Sequence, residues 1–216
     1  MPSVQFQIAE AYRAAFGGEP WKERFICQNC SRYLENSFCP SCQVPTTQEA
    51  YPTGELINEY FPEMLTSYIP GMLGIAREFN QVAGFTTGGF IGLDSLVNKK
   101  YRSENPQTII NSISSALNVS PNDQVFYDNE TCIFPDLQGQ GLGKELSLAR
   151  VREAIKMGAE IICGRTINIP WLGLKERQLT RAGYSFSYLV PAGDSYQVDG
   201  TPRYFYLATK QDRIKT

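Results

Sequence analysis

Two periods alternate along this chain. From Gln124 to Phe134 apolar and polar positions alternate in a run rich in Val, Phe, Tyr, Thr and Ile, which predicts a strand. Directly after it, Leu142, Leu146 and Ala149, with Leu148, Val151 and Ile155, make a broad apolar face at helical spacing that stops at Gly158. Upstream, Ile8, Ala11, Tyr12, Ala15 and Phe16 share one face of a helix over Phe6–Phe16, ended by Gly17-Gly18. Thr46–Ile69 contains a second helix carried by Leu56, Ile57, Tyr60, Phe61, Met64, Leu65 and Tyr68, with Pro62 near its start or kinking it. Met72–Glu78 and Gln81–Ile91 read as strands about a turn at Phe79-Asn80, the second carrying a flexible Gly88-Gly89, and Leu93–Tyr101 and Pro106–Leu117 read as helices. The apolar run Ala159–Thr166 suits the interior of a sheet. A helix over Pro170–Ala182 opens on a proline at a tolerated position. Phe186–Pro191 and Arg203–Thr209 form a hairpin around the polar loop Ala192–Pro202.

Composition narrows the class. A chain of 216 residues with 42% hydrophobic positions buries a full core as one domain, or as one domain with a small appendage. A net charge of −2 disfavours a general nucleic-acid or acidic-membrane binder. No apolar run spans a bilayer and the start lacks a basic-then-apolar leader, so the expectation is a cytoplasmic protein with no membrane partner. Histidine is absent, which removes it as general base, nucleophile activator and metal ligand.

The cysteines carry the next signal. Cys27 and Cys30, then Cys39 and Cys42, form two C-x-x-C pairs eight residues apart, and four thiolates complete a tetrahedral Zn2+ site. Two disulfides are discounted because a cytosolic chain keeps its thiols reduced, and an iron–sulfur site is the lesser rival. Four protein ligands leave no open position, so the metal is expected to be structural, a staple for an insertion over residues 26–45. Arg32 is the only strong base inside the loop, which speaks against a nucleic-acid role.

Between the strand ending at Phe134 and the helix opening at Leu142 runs Pro135-Asp136-Leu137-Gln138-Gly139-Gln140-Gly141-Leu142-Gly143-Lys144. Uncapped backbone N–H groups and the positive end of a helix dipole meet there, and glycine lets the backbone approach a ligand closely. The spacing predicts an anion site, foremost for a pyrophosphate. It is not a P-loop, because Gln138 occupies the first glycine position and Glu145 follows the lysine; nor is it G-x-G-x-x-G, because Lys144 falls on the third glycine. Gln138, Gly141 and Gly143 do fit Q/R-x-x-G-x-G/A. With Pro135 at the turn, the long helix, the following strand, Asn168 and Arg181-Ala182-Gly183-Tyr184, the chain resembles the GNAT family of acetyl-CoA-dependent N-acetyltransferases, well over its last hundred residues and loosely over the first hundred.

The resemblance implies one acyl-CoA N-acyltransferase domain over residues 1–216. Its α/β fold is a mixed, mostly antiparallel twisted sheet with a central parallel strand pair splayed for CoA, flanked by helices. Direct transfer of acetyl from acetyl-CoA to a primary amine, in a ternary complex, is the implied activity. A bulge opens the strand pair, so that pantetheine meets the backbone of Cys132, Ile133 and Phe134. The N–H groups of Gln138, Gly139, Gln140, Gly141, Leu142, Gly143 and Lys144 hold the pyrophosphate, and Asn168 bonds the pantetheine. A carboxylate on the same strand takes the amine proton, with Glu130 the candidate base and Asp128 the second choice.

The chain departs from the family in four places. Leu179 stands where many members place a tyrosine that protonates the thiolate, so the acid comes from Tyr184, Tyr188, Tyr127 or water. A strand ahead of the first helix is missing or reduced to Ser3–Phe6. The stretch from Asn168 to Gly183 is about one helical turn longer than usual. The helices Leu93–Tyr101 and Pro106–Leu117 form an extra insertion that either packs, shapes the acceptor pocket or forms a homodimer contact. Trp21 either lines the acceptor pocket or packs, and Arg203, Tyr204 and Tyr206 could reach the acceptor from the hairpin. A covalent route through Cys132 lacks a histidine to activate it, and Cys163 reads as a small buried apolar residue. The alternative function is a CoA-sensing or protein-interaction module of the same fold with weak chemistry.

Overall fold

The computed structural model describes residues 2–19, 21–78, 81–101, 105–192 and 203–211. Among the described residues no strand precedes helix α1 (Val4–Gly17), whose N-terminus is capped by the Ser3 side chain accepting from the Phe6 N–H. Four two-residue strands follow as two hairpins, β1 (Phe25–Ile26) with β2 (Tyr33–Leu34) and β3 (Phe38–Cys39) with β4 (Val44–Pro45). The second helical run is α2 (Thr53–Glu55), a π-helical segment Leu56–Tyr60 and α3 (Phe61–Thr66). Pro62 has no N–H to donate and its ring crowds the carbonyl one turn back; the wider π turn just before it relieves both problems.

Next come β5 (Gly71–Glu78), β6 (Gln81–Gly92), α4 (Leu93–Lys100), α5 (Pro106–Leu117), β7 (Gln124–Ile133) and α6 (Leu142–Lys156). The chain ends with β8 (Ile161–Thr166), α7 (Ile169–Arg181), β9 (Tyr184–Leu189) and β10 (Tyr204–Lys210). The six long strands form one sheet in the order β5-β6-β7-β8-β10-β9, antiparallel throughout except for the central pair β7 and β8, which is parallel. Thus β9 and β10 pair as expected; the turn at Phe79-Asn80 and all but the first residue of the loop Ala192–Pro202 lie outside the described residues.

Alternation across this sheet makes two cores. Val125, Tyr127, Ile161, Cys163, Phe205 and Leu207 face α1, the second helical run, α4 and α5. Phe126, Ile162, Tyr206 and Ala208 face α6 and α7. The buried face of α6 is not the purely apolar one that its pattern suggests: Ser147 and Arg150 are buried with Leu146, Val151 and Ala154, while Ile155 is 39% exposed. The helix has turned to bring a guanidinium under the sheet. No helix among the described residues is long and apolar enough to cross a membrane.

Candidate functional site

The turn between β7 and α6 is built to leave donors free. Gly139 and Gly141 sit at φ +79° and +88°, a region L side chains rarely adopt, and a Cβ on either would meet open space. Glycine is therefore required by conformation rather than by crowding. No side chain caps α6, and among the described residues no backbone N–H from Gly139 to Lys144 finds an acceptor. Six N–H groups thus surround one helix N-terminus, an arrangement that fits a diphosphate. Gln138 ties the turn to the strand, its Nε2 donating to the Ile133 carbonyl at 3.2 Å.

The strands diverge just upstream. Pairing of β7 with β8 runs only from Phe126↔Ile162 to Asp128↔Gly164, while β7 continues to Ile133 along β6. Between Asp128 and Glu130 the register with β6 shifts by one residue, leaving Asn129 as a bulge. Arg150 fastens the bulge from α6, its Nη1 donating to the carbonyls of Thr87 (2.8 Å) and Glu130 (2.6 Å). The Phe134 N–H donates to the Ala83 carbonyl and its own carbonyl accepts from Leu137. By alternation Cys132 also faces β6, so the main-chain groups turned toward the opening belong to Thr131 and Ile133. Of the three residues expected to meet pantetheine there, the structure turns Ile133 that way and turns Cys132 and Phe134 away; Thr131 went unseen because its orientation follows from the pairing register.

The bulge also sorts the two carboxylates. Two residues apart on a regular strand, Asp128 and Glu130 would share a face; the extra residue sends them to opposite ones. Asp128 points toward α6 and α7, where it is 4% exposed. It pairs with the Arg150 guanidinium, with Lys175 Nζ at 2.5 Å, and accepts the Tyr206 hydroxyl, which reaches it across Gly164 where a Cβ would not fit. Burial by itself raises the Asp128 carboxyl, but Arg150 and Lys175 outweigh it and hold the group below its usual value. Burial pulls Lys175 down to about 7 against the opposing pull of Asp128. Saturated with donors and depressed in pKa, Asp128 is unsuited to accept a proton, contrary to the expectation that made it the second-choice base. Arg150 and Lys175, the cations that hold it, gave no motif signal.

Glu130 faces the other way, into a cleft of about 650 Å³ that Asp128 and Arg150 also border from beneath the bulge. Its Oε1 accepts from the Tyr60 hydroxyl at 2.7 Å, and Tyr60 in turn accepts from Tyr12 at 3.0 Å. Burial, then the Glu130 charge, raises both phenols well above their usual value, so they remain protonated donors. Glu130 Oε2 is buried without a hydrogen-bond partner among the described residues. The cleft draws on α1, the cysteine loop, the π segment, α4, β7, β8 and β10, and Trp21 lies on its wall beneath the Arg203 guanidinium.

The other candidates are dispersed. Tyr184 is buried beneath α7, its hydroxyl on the Ala159 carbonyl, and does not line the cleft; Tyr188 is 53% exposed on β9. Both lie off the cleft because β9 is the sheet's far edge. Tyr127 and Tyr206 do line it. Leu179 is wholly buried in the second core. Asn168 lines the cleft and caps α7, its Oδ1 accepting from the Trp171 N–H at 3.0 Å. Burial, then Glu130, pushes the Cys132 thiol well up, and burial does the same for Cys163, so neither is an activated nucleophile.

The four remaining cysteines converge. Each C-x-x-C lies at the end of a hairpin, with Ser31 and Gln43 in the left-handed region and matching bonds from Ser31 N–H to Cys27 O and from Gln43 N–H to Cys39 O, both 2.8 Å. Their sulfurs all lie within 4.8 Å of one another, and Cys30 Sγ to Cys39 Sγ is 3.7 Å. A regular tetrahedron with Zn–S bonds of about 2.3 Å has edges of about 3.8 Å, so the set fits zinc and is far too open for a disulfide.

No protein-family model and no curated protein matches the chain. Among solved structures it is similar to a Desulfovibrio desulfuricans protein assigned to the GNAT acetyltransferase family, at 15% identity over 97% of this chain and 94% of that one, TM-score 0.48. It is also similar to an aminoglycoside 6'-acetyltransferase type Ii (11%, 95% and 89%, 0.45) and to the Drosophila melanogaster polyamine N-acetyltransferase (12%, 62% and 71%, 0.41). At such identities and scores a likeness does not by itself assign the chain. The strand order, the bulge and the free-donor turn stand independently of it.

Proposed function

We propose that the protein is an acetyl-CoA-dependent N-acetyltransferase. The observation that carries the reading is the sequence of three features along one strand: six free N–H groups at its end, a one-sided opening beside it, and a buried carboxylate oxygen with no partner at the bulge. In this reading the N–H groups of Gly139 to Lys144 take the diphosphate, and the main chain of Thr131 and Ile133 takes the pantetheine, with the Asn168 amide nitrogen beside it. Lys144, Arg177 and Arg181 border a second hollow between α6 and α7 and offer positive charge to the nucleotide end. The acceptor enters through the large cleft. Glu130 Oε2 removes the proton of the incoming ammonium, directly or through a water, while Tyr60 and Tyr12 hold the carboxylate in place. The buried cations around Asp128 provide a positive potential at the apex of the opening, where thiolate charge develops. The four thiolates hold zinc as a closed structural site.

An amine panel with acetyl-CoA, wild type against Gly141→Asp, tests the assignment; equal turnover by the variant refutes it. One observation favours the second reading, a CoA-binding module without efficient chemistry: Leu179 leaves the tyrosine position empty of a proton donor, and the Tyr206 hydroxyl is spent on Asp128. Tight CoA binding with no turnover of any amine selects that reading.

A further inference from the structure

The cleft holds a second unmatched charge besides Glu130. Lys100 closes α4 and lines the cleft, its Nζ 5.4 Å from the centre of the Tyr127 ring, and among the described residues no carboxylate lies within ion-pair distance of it. Its neighbours on the wall do not supply an anion. The Arg165 guanidinium donates to the Lys100 carbonyl at 2.6 Å and lies over the Tyr101 ring. Glu63, which also lines the cleft, is held by Lys99 at 2.6 Å, and Glu23 lies with Arg203 and the Tyr51 hydroxyl. Lys100 and Glu130 line the same cleft, yet among the described residues they form no ion pair. Burial draws the Lys100 ammonium down from its usual value, as expected for a cation packed over an aromatic face.

A carboxylate oxygen and an ammonium that share a partly desolvated cavity without contact each retain an uncompensated cost, which a ligand carrying the opposite pair removes. Aromatic faces of Phe16, Trp21 and Tyr33 line the same space. We infer that the acceptor is a zwitterion, an amino acid or a short peptide, whose α-ammonium meets Glu130 and whose terminal carboxylate meets Lys100. This rests on the acyltransfer reading for the reaction, but the recognition itself is independent of turnover.

The test uses the full metal-loaded chain and five probes of matched shape: phenethylamine, phenylalanine, phenylalaninamide, phenylalanylglycine and its amide. Acetyl-CoA turnover is followed by thiol release, and binding of each probe to the CoA complex is followed by calorimetry. A carboxylate-bearing probe is expected to exceed both its own amide and phenethylamine by at least about tenfold in kcat/KM, from a charge-assisted bond of about 1.5–3 kcal/mol. Lys100→Met should erase that preference by raising KM for the carboxylate probe alone, and Lys100→Arg should keep part of it. Equal use of acid and amide by the wild type, or an equal loss for every probe in Lys100→Met, overturns the inference. If no probe turns over, the calorimetric preference and its dependence on Lys100 still decide the recognition, while the reaction is refuted separately.

Discussion

Asp128 and Glu130 lie two residues apart on one strand, and removing their charges one at a time should produce opposite phenotypes. Asp128→Asn leaves Arg150 and Lys175 without their shared anion in a site where both are at most 2% exposed. Lys175, at about 7, is already largely neutral at pH 8 and so loses little with its partner. Arg150 stays charged and, among the described residues, retains only the two bulge carbonyls. Breaking a buried pair by deleting one partner costs about 3–5 kcal/mol; with Lys175 able to neutralise itself, the lower end, about 3 kcal/mol, is expected. For a chain of this length that lowers Tm by roughly 6–12 °C. Glu130→Gln keeps an oxygen for the Tyr60 hydroxyl and removes no partner from a cation, so its Tm should stay within about 4 °C of wild type, under about 1 kcal/mol. Its turnover should fall by about 10²–10⁴, the usual worth of a positioned base. Differential scanning calorimetry at pH 8 and thiol release from acetyl-CoA, run on the same preparations, read both quantities. A stable Asp128→Asn protein, or a fully active Glu130→Gln protein, would falsify the division of labour that the bulge imposes.

Gly141→Ala should fold and lose about 1–2 kcal/mol through the left-handed backbone alone, since its Cβ meets nothing, whereas Gly141→Asp adds a charge beside the free donors and should weaken CoA binding at least tenfold beyond the alanine variant; equal Kd values in calorimetry contradict the cradle. A strong chelator should release one zinc per chain, measured with a colorimetric indicator, and abolish near-ultraviolet signal from Tyr33 and Tyr51, which stack at 5.6 Å beside the knuckle; retention of that signal without metal sinks the staple. Because the folded pKa of Asp128 is depressed, its stabilisation is present above the unfolded carboxyl value near 4 and is lost as pH falls through the lower folded one, so acid unfolding should flatten in Asp128→Asn. Lys175 has the opposite consequence: its folded value of about 7 lies below the unfolded one, so stability rises from pH 7 toward pH 10, and Lys175→Met should be close to neutral or stabilising below pH 7 in urea titrations.

Much of this molecule was legible in one dimension. Period-two and period-3.6 patterning is a local consequence of backbone geometry, and it located every long strand and helix to within a few residues. The two knuckles were readable because a C-x-x-C turn aims both thiols locally, and the pair of them needs only proximity to close. The glycine turn was readable because a left-handed residue demands glycine whatever surrounds it. Other features depended on partners distant in sequence. Arg150 carries no signal in the sequence, and only the fold places it under the bulge.

The roles of the two acids were undecidable from the sequence for the same kind of reason. Alternation assigns Asp128 and Glu130 to one face of a strand, and only pairing with β6 reveals the extra residue between them. What local chemistry dictates, turns, caps, metal knuckles and the period of an element, was written in the residues themselves. What register decides, which carboxylate meets three buried donors and which keeps an oxygen free in the cleft, came only with the third dimension, because a one-residue slip inverts every face beyond it.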